Sequence, residues 1–111
     1  MCGNLAKNRA VIVNKNDVKE LEFMLWMLDI RMTGSYGEIW DSNVKLNPNY
    51  TIVTFRCCDS KYHTIYEKMD SLGMWKGELI NPKIYGDYIA CDEINVINEN
   101  MSNRYLKIGV L

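Results

Sequence analysis

The chain has 111 residues, 48% of them apolar, with 13 basic against 14 acidic side chains and a formal net charge of −1. That length predicts one compact domain over 1–111 with enough apolar material to fill its core. Near-neutral charge weighs against a nucleic-acid partner, which needs a net basic surface, and no apolar run of about eighteen residues is present to cross a membrane.

Residues 1–10 carry no apolar core of the kind that directs export, so a cytoplasmic location is expected, with Cys2, Cys57, Cys58 and Cys91 as thiols. Ala10-Val11-Ile12-Val13 is β-branched and apolar on both faces, and reads as a central strand. Asp17 with Glu20 three residues later resembles a capping box. The helix it opens should run to Arg31 or Met32 and close at Gly34. Tyr36 to Trp40 reads as a strand entering a polar turn region, 41–49, that contains Pro48.

Tyr50 to Cys57 alternates, placing Val53, Phe55 and Cys57 on one side and Ile52, Thr54 and Arg56 on the other. Asp59 or Ser60 should cap a second helix, in which Tyr62, Ile65, Met69 and Leu72 recur at helical spacing before Gly73. The remainder is strand-like: Met74 to Ile80, Ile84 to Cys91, Ile94 to Ile97 and Tyr105 to Leu111. This element order is the split βαβ pattern of ferredoxin-like folds. The expected class is therefore α+β, a ferredoxin-like split βαβ arrangement with two helices on one face of an antiparallel sheet and extra C-terminal strands.

The first helix is the most informative segment. At about 100° per residue, Val18, Leu21, Leu25, Leu28 and Met32 fall on one side and Phe23, Trp26, Met27 and Ile30 roughly on the other. Lys19, Glu20, Glu22, Asp29 and Arg31 fill the borders. One stripe can be buried on the sheet. The other must be covered by the C-terminal strands or by a partner, and in the second case Phe23, Trp26, Met27 and Ile30 are the anchors, with Lys19 and Arg31 at the rim.

Chemistry-bearing residues are sparse. Cys57 and Cys58 adjoin each other, so their side chains leave a strand on opposite faces, and convergence with His63 and Cys91 on a metal would need help from the fold. Small core hydrophobes are the plainer reading of Cys57 and Cys91, and no metal or cofactor is expected. His63 is the sole histidine, with Asp59 one turn earlier to orient it and Arg56 and Lys61 nearby to hold an anion. Tyr50, Ile52, Thr54 and Arg56 would form a stacking platform for bases if that sheet face were open.

The reading these features favour is a non-catalytic binding protein that acts through the aromatic helix face on a protein partner, either a host enzyme or a second copy. Abundant Asn, Ile and Lys with only two Pro reflect AT-rich codons, which suggests a phage or mobile-element accessory protein inhibiting a host enzyme such as a defence nuclease. The alternative is a homodimer that sequesters a nucleotide or small anion through Arg56, Lys61 and His63. A third is a small phosphodiesterase dependent on His63.

Overall fold

In the structure, a computed structural model, the described residues are 5–98 and 101–107 for the backbone and 5–96 for side chains. The elements in chain order are β1 (Lys7–Asn14), α1 (Val18–Met27), β2 (Met32–Tyr36), β3 (Tyr50–Cys57) and α2 (Asp59–Ser71). They continue as β4 (Gly77–Ile80), β5 (Lys83–Tyr85), β6 (Tyr88–Ala90), β7 (Glu93–Asn98) and β8 (Met101–Lys107). Six strands form one sheet in the order β2-β3-β1-β4-β7-β8, and every neighbouring pair is antiparallel. β5 and β6 make a separate hairpin. The class is α+β, as the element order predicts.

β1 is central because nothing polar interrupts Ala10 to Val13, which are buried on both faces. Its register on β3 sets Val11 against Val53 and Ile12 against Ile52. Side chains of alternate parity therefore feed two cores. On the helix side, Val11, Val13, Val53, Phe55 and Cys57 pack under Leu21, Met24, Leu25, Ile65 and Met69. On the far side, Ala10, Ile12, Ile52, Leu79 and Ile94 meet Ile39 from the β2–β3 connection and Ile89 and Cys91 from the hairpin region.

That second core closes the sheet face proposed as a stacking platform. Tyr50, Ile52 and Thr54 are all buried, because the connection and the hairpin fold over them. Trp40 fixes this cover, its backbone N–H donating to Ile89 O at 2.7 Å. Its ring lies 5.7 Å from Tyr88 and 6.1 Å from Tyr85.

Several boundaries differ from the sequence expectation. α1 ends at Met27, not at Arg31 or Met32, because Asp29 takes a left-handed conformation at φ 61. Ile30 N then donates to Leu25 O and Asp29 N to Trp26 O, a Schellman closure made without glycine. Gly34 lies within β2 instead of closing the helix. A 3-10 turn over Lys15–Asp17 precedes α1, and Asn14 caps that turn by accepting from Asn16 N, while Asp17 makes no side-chain cap bond.

α2 closes as expected, with Gly73 N on Asp70 O and Met74 N on Met69 O. Leu72, placed by periodicity on the buried face, is exposed because it is the C-cap, where the helical rotation ends. The segment Ile84 to Cys91 is a hairpin turning at Gly86-Asp87 and not one strand. Tyr105 to Lys107 belong to β8, and residues 108–111 of that expectation lie outside the described residues.

Candidate functional site: the outer face of helix α1

α1 buries Leu21, Met24 and Leu25 against the sheet, with Val18 and Leu28 packed at their edge. The rotation that buries these turns Phe23, Trp26 and Met27 outward, where they are 58%, 72% and 59% exposed. Phe23 and Trp26 stack on each other at 5.9 Å between ring centres and 26° between planes. Their outer surfaces stay in water. Isolated exposed hydrophobes are ordinary, but three large ones side by side on one helix form a contiguous patch of the kind that marks an interaction surface.

Beside the stack runs an open groove of about 830 Å³, lined by Lys19, Glu22, Phe23, Trp26, Asp29, Ile30, Arg31 and Met32. Lys19 and Arg31 are both among its lining residues. Ile30 does not join the exposed anchors: it is 7% exposed and belongs to the helix-side core. The Asp29 turn redirects the chain so that Ile30 packs inward beside Leu25, the hydrophobic contact that accompanies a Schellman closure. Met24, which the sequence reading did not assign to either stripe, is buried in its place.

The anion-binding residues do not converge. Arg56 leaves β3 on the face opposite the helices and donates to Ala6 O at 2.9 Å. Lys61 reaches from α2 to Leu28 O at 2.9 Å, where its charge satisfies the end of α1. His63 pairs with Glu67 one turn on, at 2.7 Å, and both side chains are exposed. Asp59 does not orient His63; it accepts from Arg9 and lies 3.8 Å from Lys7 Nζ, and the Arg9 hydrogen bond holds its carboxyl below the usual range.

A polar cluster that the sequence reading missed ties β1, α2 and β4 together. Arg9 lies 4.8 Å above the Tyr62 ring, and the Tyr62 hydroxyl donates to Glu78 Oε2 at 2.9 Å. Burial, reinforced by the Glu78 carboxylate, keeps that hydroxyl protonated far above the phenol range. Arg9 and Asp59 stand 50 positions apart, so no local pattern announces the contact. Every member has a partner within the cluster, which makes it a clamp between elements.

Cys57 and Cys91 are buried free thiols in the two different cores, one on each side of the sheet. Burial raises both, Cys91 to about 11, which keeps the thiolate nucleophile scarce at neutral pH. Cys58 is disulfide-bonded, which corrects the expectation of four thiols. Cys58 follows β3 as the N-cap of α2 and is itself buried. Cys2 lies outside the described residues. Among the described residues, no three of His, Cys, Asp and Glu are grouped to hold a metal ion, and no helix is long and apolar enough to cross a membrane.

No family profile, curated protein or solved structure matches this chain.

Proposed function

We propose that this chain is a non-catalytic binding protein that docks on a protein partner through the outer face of α1. The observation that supports the reading is the exposed Phe23–Trp26 stack with Met27 beside it, on a helix whose opposite stripe is already buried. Large rigid rings at the centre of a contact carry most of the energy of protein association, because they displace much water for little lost rotamer freedom. Lys19, Glu22, Asp29 and Arg31 then form a mixed-charge rim that sets orientation. On a partner enzyme, such as the host enzyme the residue usage suggests, this surface would act by coverage.

The test compares the wild-type chain with Trp26→Asp as immobilised bait in lysate of the producing cell, with cross-linking. Both preparations are first checked for the same circular dichroism and thermal midpoint. Capture by the wild type and its loss in the folded variant is the expected result. Unchanged capture, or a variant that unfolds because Trp26 is needed by the core, overturns the proposal.

A further inference from the structure

We infer that the occupant of the α1 face is a second copy of this chain, with the two α1 helices packed antiparallel about a twofold axis. This rests on the docking reading above and names its partner. The placement of charge around the stack carries it. Lys19 sits in the first turn of α1 and Asp29 just past its C-cap Leu28, so the two charges bracket the Phe23–Trp26 stack along the chain. Both line the same groove as the two rings.

In an antiparallel pair related by a twofold axis at the stack, Lys19 of each copy faces Asp29 of the other and the aromatic pairs meet. Two identical ion pairs result, one at each end of an apolar centre. Each Lys19 also approaches the negative end of the opposing helix. A parallel arrangement would set Lys19 on Lys19 and Asp29 on Asp29, so the charge pattern selects the antiparallel one. The groove as a whole is charge-balanced, with Lys19 and Arg31 against Glu22 and Asp29, so two copies meet without net repulsion.

The area sets the strength. Phe23, Trp26 and Met27 at their observed exposures offer on the order of 400 Å² per copy, about half of one side of a standard interface. Met32 extends the groove to β2, the terminal strand of the sheet, so a copy seated on α1 lies alongside that edge and can add to the contact. The expected dimer is therefore weak and transient.

Sedimentation equilibrium of the full chain from micromolar to millimolar concentration tests this. A monomer–dimer equilibrium is expected, abolished by Trp26→Asp. Lys19→Glu and Asp29→Lys should each weaken it at least about fivefold, and the double reversal should restore it to within about threefold. Lys fits the left-handed Asp29 position poorly, so Asp29→Asn serves as the strain-free check and should weaken the dimer in the same direction. A monomer at every concentration, or a dimer indifferent to both charge changes, overturns the inference. If the chain stays monomeric while lysate capture still depends on Trp26, self-association fails and the docking reading survives; if capture is also indifferent, both fail.

Discussion

Trp26 and Ile30 lie one helical turn apart in the sequence and belong to the same predicted stripe, yet one is 72% exposed and the other 7%. Helical periodicity places side chains correctly only while the helix lasts. Phe23, Trp26 and Met27 precede the end of α1 and obey it; Ile30 follows the Asp29 turn and escapes it. Truncating Ile30 to Ala should therefore cost about 2–4 kcal/mol, the usual range for a buried aliphatic side chain. Trp26→Ala should stay within about 0.5 kcal/mol of wild type. Urea unfolding of both variants checks this, and a large loss at Trp26 would mean that the patch is core. That Phe23, Trp26 and Met27 share a face was thus legible from spacing, whereas their exposure was not, because spacing left cover by the C-terminal strands open. Nor was the burial of Ile30, because a left-handed aspartate leaves none of the signal that a closing glycine gives.

Both helices end in the same hydrogen-bond pattern, but only α2 does so with glycine. Gly73 has φ 70 and open space around its Cβ position, so Gly73→Ala should cost only the left-handed penalty of about 1–2 kcal/mol. Gly77 is a different case. At φ 145, a Cβ there would meet the backbone oxygen of Asn95 at 2.2 Å, across the seam that joins β4 to β7. Backbone on both sides cannot yield as a flexible side chain would. Gly77→Ala should thus destabilise more than Gly73→Ala, and amide exchange should show β7 losing protection before β1 and β3 do. The reverse order of cost would mean that the seam is looser than its geometry indicates. The sequence placed both helices and the central strands, whose patterns are local. It ran the β4 strand back to Met74 because Met74 and Trp75 are apolar, although they are buried as the closure of α2 and strand pairing starts only at Gly77. The cover over the far face was equally silent, since Ile39 and Ile89 meet only through tertiary contact.

At the scale of the molecule, the central strands β1 and β3 are buried on both sides, and among the described residues each core holds one free thiol. This arrangement couples stability to pH at the alkaline end. In the unfolded chain a cysteine ionises near its ordinary value of 9.0, whereas Cys91 in the fold, chiefly through its burial, holds its proton to about 11. Between those values the folded state binds more protons than the unfolded one, so stability is intact below pH 9 and falls as pH rises toward 11. Cys57 is shifted in the same direction by the same cause, opposed by Arg9. The acid end has the opposite sign. Asp59, held down by Arg9 and Lys7, and Asp92, held down by Lys83 and Asn81, favour the fold above the ordinary aspartate value of 3.8 and lose that contribution as pH falls below it. Both carboxylates are exposed to solvent and to salt, so the alkaline slope is the more diagnostic of the two. Chemical denaturation at intervals from pH 8 to 11 should show stability declining through this window in the wild type, and declining less in Cys91→Ala, even though that variant starts lower for want of the sulfur's packing. An equal slope in the two proteins would show that the thiol ionises freely in the folded state, and that the cover formed by the β2–β3 connection and the hairpin does not exclude water from the far core.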